Sequence, residues 1–271
     1  MPIQSEGATS YVLPHLEGRE RDVGFVAQLL DRIHQGGATL IVSGEPGIGK
    51  SALLEIAKIQ ARQRGIAVLA MTGVPEESHL PFAGLEQVLR PLLKQIDGLA
   101  PRQRSALLTA FGMHDDAAAP PDNFLVGLAT LSLLTESASR KPILLVADDG
   151  QWIDQPTYDV LAFVARRLSS DPIVLLVAMR DGSGRMFGDA GALRLRLSAL
   201  DEADAERLLD ASAPGLVAEV RRRFLREAAG NPLALLELPR AGVTARAHDA
   251  AWLPLTERLE RVFSSRLSEL P

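Results

Sequence analysis

The sequence predicts an α/β fold: a parallel five-stranded sheet flanked by helices, followed by a small helical lid. Three observations carry this. Short apolar runs rich in β-branched residues alternate with segments of helical spacing. A glycine-rich turn joins the first such run to the helix behind it. Beyond residue 201 the periodicity is helical only. Strands separated by helices must be joined by crossovers, and crossovers make the sheet parallel.

The elements follow in order. Residues 1–15 are polar and irregular and are expected to be a flexible lead-in. Residues 19–34 place Val23, Val26, Leu29, Leu30 and Ile33 on one helical face, and Gly36-Gly37 stops that helix. Residues 38–43 read as a strand, 50–62 as a helix and 66–71 as a second strand. The stretches 81–96, 102–111 and 123–137 each have helical spacing, with an Ala/Pro/Asp loop at 115–122. Residues 143–147 form a third strand, 157–168 its crossover helix and 173–179 a fourth strand. A Gly-rich loop over 181–190 precedes a short fifth strand at 193–197. Helices are expected at 203–211, 216–229 and 232–238, then a linker over 241–253 and an amphipathic helix over 254–270. The predicted organisation is thus a core over 16–200, a lid over 201–240 and the start of a further helical region over 241–271.

Composition limits the function classes. A chain of 271 residues suits one large domain, or one domain with a small appendage. Cysteine is absent, which excludes disulfides and zinc–thiolate sites. A formal net charge of -5 argues against a dedicated nucleic-acid-binding domain, which needs a basic face. The basic run Arg221-Arg222-Arg223 sits among acids in a helical pattern and reads as a solvated face. There is no signal-peptide pattern and no apolar run near the ~20 residues that span a bilayer. The expected compartment is the cytoplasm.

The strongest chemical signal is Gly44-Glu45-Pro46-Gly47-Ile48-Gly49-Lys50-Ser51, followed by Ala52. Its spacing, glycine, four residues, then Gly-Lys-Ser, is that of a P-loop. Glycines let successive amides turn inward as an anion nest, and the helix behind adds its positive N-terminal end. Lys50 would reach the β- and γ-phosphates and Ser51 would hold magnesium, so ATP with Mg2+ is the expected ligand. The second signal is the run 143–147 ending on Asp148-Asp149. An adjacent parallel strand in a P-loop fold would place Asp148 beside the magnesium and Asp149 beside the attacking water. An Asp-Asp-Gly sequence is also good turn chemistry. Arg180 follows the fourth strand, where the spacing fits both a γ-phosphate sensor and a solvated loop arginine. Gly230-Asn231-Pro232 reads locally as a helix C-cap followed by a helix-starting proline. The five histidines lack ligand spacing, so no further metal is expected. Trp152 reads as a core or interface residue.

With these residues in place the chain resembles the nucleotide-binding domain of STAND-class ATPases, in the AAA-like branch that includes Orc1-like domains. More narrowly, it resembles the N-terminal part of large ATP-binding LuxR-type regulators. The likeness runs from about Leu16 to Pro271. It is carried by Gly18-Arg19-Glu20, the P-loop, Leu80-Pro81-Phe82-Ala83-Gly84-Leu85, Asp148-Asp149-Gly150-Gln151-Trp152, Ala165-Arg166-Arg167-Leu168 and Ala229-Gly230-Asn231-Pro232-Leu233-Ala234-Leu235. The resemblance implies that Gly18 and Arg19 lie near the adenine or ribose, that Pro232 contacts the base, and that Arg180 is the sensor. It also implies an ADP-closed, ATP-open switch with assembly or a partner protein in the ATP state. Glu17 stands where that family usually has an aliphatic residue. Longer relatives continue into winged-helix, repeat and DNA-reading segments, so no direct DNA binding is expected of this stretch.

The expected activity is slow ATP hydrolysis used as a switch, with Lys50, Asp149 and Arg180 in catalytic roles. A nucleotide-binding interaction module without turnover, or a fragment of a LuxR-type regulator, is the alternative.

Overall fold

Five parallel strands, β1 (Ala38–Gly44), β2 (Ala67–Thr72), β3 (Ile143–Asp148), β4 (Ile173–Arg180) and β5 (Leu193–Arg196), form one sheet in the order β2-β3-β4-β1-β5. The structure, a computed structural model, describes residues 16–113, 121–182 and 191–244. The expected lead-in at 1–15, most of the loops at 115–122 and 181–190, and the helix at 254–270 lie outside the described residues.

Burial on both faces explains the apolar strands. β3 and β4 are buried along nearly their whole length, which suits crossover helices on both sides. Side chains alternate across the sheet. Leu144, Val146, Leu176 and Ala178 face one cluster with Val26, Leu30, Leu53 and Leu54 from helices α1 (Glu20–Asp31) and α2 (Lys50–Gln63). Leu145, Ala147, Leu175 and Val177 face the other. There they meet α3 (Ala83–Leu89), α4 (Pro101–Ala110), α5 (Asn123–Arg140) and α6 (Gln155–Ala165). The edge strand β5 is mostly exposed and alternates leucine with arginine. Charges on an open edge discourage pairing with another chain.

The sheet order corrects one expectation. β3, which carries Asp148, does not neighbour β1; β4 lies between them and pairs with both. β4 is the most continuously apolar strand, so the centre of the sheet is where its burial is best satisfied.

Two helices also differ from their sequence reading. The stretch expected as one helix over 81–96 is α3 followed by a 3-10 segment, Arg90–Gly98. Pro91 supplies no N–H and crowds the carbonyl four residues back, so the α-helix cannot continue. The crossover helix α6 starts before the expected residue 157. Asp154 caps it, and Pro156 occupies the first turn, where a missing N–H costs nothing.

The lid is a three-helix unit of α7 (Glu202–Ser212), α8 (Ala218–Ala228) and α9 (Pro232–Thr244). It has its own small core of Leu200, Ala205, Leu209, Ala228, Ala234 and Leu235. α9 runs on to Thr244, into the segment read as linker, with Pro239 inside the helix. Arg221 pairs with Asp210 and Glu206, and Arg223 with Glu227, so two of the three arginines of the basic run are paired with acids on the lid surface. Among the described residues no helix is long and apolar enough to cross a membrane.

Candidate functional site

The P-loop connects the end of β1 to the start of α2, at the carboxyl edge of the sheet. In open α/β sheets that edge is where ligands bind. Its glycines are required by geometry. Gly47 (φ +75°) and Gly49 (φ +104°) have left-handed backbone that side chains disfavour. Gly47 also lacks room, since a Cβ there would stand 2.9 Å from Asn231 Oδ1 and 2.9 Å from Leu233 Cβ.

A cleft of about 390 Å³ opens between this loop and the lid. That volume suits a small-molecule ligand. Pro46 to Ala52 form its floor, with Arg19, Asp149 and Arg180 beside them. Leu16 and Glu17 line it from the chain before α1, and Leu208, Pro232, Leu233 and Leu236 from the lid. The loop and the charged side chains of Arg19, Lys50, Asp149 and Arg180 thus face apolar side chains of the lid.

Lys50 is 8% exposed. Its Nζ donates to the carbonyls of Gly44 (2.9 Å) and Glu45 (2.8 Å). Burial pushes its pKa down, with Asp149 opposing that shift and Arg180 adding to it. An ammonium held by neutral carbonyls in a partly desolvated site is well placed to exchange them for an anion.

Asp148 is half-buried at the tip of β3. Burial raises its pKa, against the opposing pull of a hydrogen bond from the Ser51 side chain and one from the Asp149 amide at 2.8 Å. The acid therefore reaches the first turn of α2 although β4 lies between the strands. An all-oxygen pair of carboxylate and hydroxyl fits a hard cation such as magnesium. The raised pKa means that the charged form of Asp148 is disfavoured in the folded protein. That stabilising contribution belongs to the protonated form and is lost as pH rises through the raised value. Asp148→Asn is accordingly expected to leave the thermal midpoint of the ligand-free protein at pH 7 equal or higher. It should also abolish any magnesium-dependent gain in nucleotide affinity. Thermal melts and paired titrations with and without magnesium check both.

Asp149 has left-handed backbone, φ +47° and ψ +47°. Aspartate tolerates this better than most residues, and such geometry collects at functional sites. Gln151 fixes the side chain: its Nε2 donates to Asp149 Oδ1 at 2.7 Å, while its Oε1 accepts from the Arg180 amide at 3.1 Å. One side chain thus ties the acid after β3 to the end of β4. Arg180 is exposed, lines the cleft and pairs in register with Gly44.

Other predicted residues take supporting places. Arg19 is buried and donates to the carbonyls of Ile48 in the P-loop and Ser198 after β5, so it braces the loop while also lining the cleft. Gly18 does not line the cleft; it packs against Asp204 of α7, with no room for a Cβ. Gly44 and Glu45 contribute carbonyls to Lys50 rather than cleft surface. Glu17 Oε2 accepts from Arg207 Nε of α7 at 3.2 Å, which gives this unexpected acid a partner on the lid.

Spacing did not assign roles to Gln151, Asn231 or Leu233. Gln151 and Asn231 lie inside the motif segments, but their partners are set by residues 29 and 185 positions away. Asp154, only 3% exposed, ties the 80–85 motif segment to the start of α6. It accepts from the amides of Phe82 (2.8 Å), Gly84 (3.1 Å) and Thr157 (2.9 Å).

Parallel sheet, P-loop, strand-end acids and helical lid together define a P-loop ATPase domain of AAA type. Residues 15–177 match the AAA ATPase domain family, and the chain belongs to that family. A curated relative, an uncharacterised protein of Rhizobium meliloti (strain 1021), is 25% identical over 73% of this chain and 22% of its own length. Among solved structures, the Cdc6p of Pyrobaculum aerophilum superposes with a TM-score of 0.56, at 15% identity, over 88% of this chain and 65% of that one. A Signal Transduction ATPase with Numerous Domains (STAND) protein from Pyrococcus horikoshii, which has a tetratricopeptide repeat sensor, gives 0.52 at 16% identity, over 92% of this chain and 33% of that one. The ORC2 protein of Aeropyrum pernix, solved in ADPNP-ADP complexes, gives 0.52 at 18% identity, over 89% and 66%. At these identities the neighbours establish the fold. The chain spans about a fifth of the curated relative and a third of the STAND protein.

Proposed function

We propose that this domain is the nucleotide switch of a STAND-type regulatory ATPase, binding ATP with magnesium and hydrolysing it slowly. The observation that carries this is the convergence of Lys50, Ser51, Asp149 and the lid residue Pro232 on one cleft, with Asp148 hydrogen-bonded to the Ser51 side chain. Adenine would sit toward Pro232 and Leu233, and the phosphates would lie in the P-loop nest. Lys50 would take up γ-phosphate charge by leaving the Gly44 and Glu45 carbonyls. Magnesium, held through Ser51 and Asp148, would supply further charge neutralisation. Asp149 would orient water for in-line attack, with Gln151 holding its carboxylate, and Arg180 would sense the γ-phosphate. The matched share of longer proteins supports a module working within a larger regulator, and the motif likeness to LuxR-type regulators supports that setting.

The deciding experiment separates binding from chemistry. Asp149→Asn should lower the single-turnover hydrolysis rate by about 100-fold, the scale of a lost acid–base group. Its ADP affinity should stay within about threefold of wild type, because the acid acts on water rather than on the nucleotide. Equal hydrolysis rates would remove the catalytic claim and favour a binding module without turnover.

A further inference from the structure

Asn231 immediately precedes the lid helix α9, at its N-cap, and is 8% exposed. Both polar atoms of its side chain are engaged. Oδ1 accepts from the amides of Leu233 (3.1 Å) and Ala234 (3.3 Å), capping α9. Nδ2 donates 2.9 Å to the carbonyl of Pro46, across 185 residues of sequence. The Leu233 amide donates in turn to the Gly47 carbonyl at 3.2 Å. The lid therefore grips two consecutive peptide units of the P-loop by their carbonyls.

Those units have a second side. A trans peptide is planar, with its N–H directed opposite to its C=O. The unit that offers the Pro46 carbonyl carries the Gly47 N–H, and the unit that offers the Gly47 carbonyl carries the Ile48 N–H. These amides belong to the loop read as the anion nest. A hydrogen bond on one side of a peptide group polarises it and strengthens the bond on the other. The Ile48 amide donates to the Glu45 carbonyl at 3.3 Å within the loop, so the Gly47 amide is the one offered to an anion, and an anion there makes a better acceptor of the Pro46 carbonyl that Asn231 holds. Equally, the Asn231 Nδ2 donor makes a better anion donor of the Gly47 amide.

We infer that Asn231 is the positioning residue through which the lid and the phosphate site are coupled, each tightening the other through the shared Pro46–Gly47 peptide plane. The inference rests on the reading of the P-loop as a phosphate site. It adds that the lid contributes to phosphate affinity without touching phosphate. Coupling of this kind must be reciprocal: phosphate occupancy tightens the lid by the factor by which lid docking tightens phosphate.

Asn231→Ser tests this with little disturbance. Serine remains a good N-cap but is too short to reach the Pro46 carbonyl, and it introduces no charge. In the ligand-free variant, amide exchange at Leu233 and Ala234 should quicken while the thermal midpoint stays close to wild type. The ADP dissociation constant should weaken by about tenfold, within the usual range of such couplings. At saturating ADP the P-loop amides should still gain protection, but the first turn of α9 should not. A serine variant that binds ADP within twofold of wild type and still protects α9 would overturn the coupling alone. A wild-type protein that shows no ADP binding would overturn the phosphate-site reading and the coupling with it.

Discussion

Lys50→Ala is expected to weaken ATP binding by about 100-fold or more in calorimetric titration. The removed group makes charge-assisted hydrogen bonds to phosphate, each worth about 1.5–3 kcal/mol, and every 1.4 kcal/mol is about tenfold. The ligand-free protein should not suffer in proportion. Lys50 there carries a partly desolvated charge against the Gly44 and Glu45 carbonyls, and its pKa is lowered chiefly by burial. Removing it deletes two hydrogen bonds and a desolvation cost together, so the thermal midpoint should shift little. Unchanged ATP affinity in a folded variant would overturn the phosphate-site assignment.

The same depressed pKa gives a pH signature. Between the lowered folded value and the ordinary lysine range, the unfolded chain binds more protons than the folded one. Folding stability should therefore rise with pH across that alkaline window. A phosphate anion favours the ammonium, so nucleotide binding in that window should take up protons. The observed binding enthalpy would then depend on the ionisation enthalpy of the buffer, and Lys50→Ala should remove that dependence.

Asp154→Ala should cost about 3 kcal/mol or more of folding stability, because several backbone donors lose their acceptor in the interior at about 1–3 kcal/mol each. Asp154 Oδ1 serves Phe82 and Thr157, and Oδ2 serves Gly84. Thr157, capped by it, passes the arrangement on by accepting from the Leu85 amide at 3.0 Å. One carboxylate thus anchors the starts of both α3 and α6, where helix N-termini favour negative charge. It also supports the left-handed Phe82, φ +65°. Domains of this kind are stable by only about 5–15 kcal/mol, so the loss should be plain in urea denaturation. Asp154→Asn should lose less, since its amide oxygen still accepts but its NH2 faces an N–H donor. A loss below about 1 kcal/mol for the alanine variant would show that water replaces the carboxylate there.

The segments 80–85 and 148–152 are legible in the sequence, whereas Asp154, two residues beyond the second, carries no local signal of its role. Its connection to Phe82 and Gly84 is not visible, because the partners lie about 70 residues apart in sequence. A side-chain cap across such a distance leaves no periodicity. The break at Pro91 was open to local reasoning, since proline in a helical pattern signals an interruption.

The information legible along the chain is local and periodic. Alternating β-branched runs, helical spacing and Gly-Lys-Ser fix the five strands, the α/β class and the loop from which Lys50 and Ser51 project, since each depends on residues near one another. Only the tertiary structure decided that β4 separates β3 from β1, that Gln151 ties Asp149 to Arg180, and that Asn231 grips the P-loop. Strand order is chosen by which runs gain most from central burial. Side-chain contacts across the fold are chosen by which polar groups remain to be satisfied once the chain has closed.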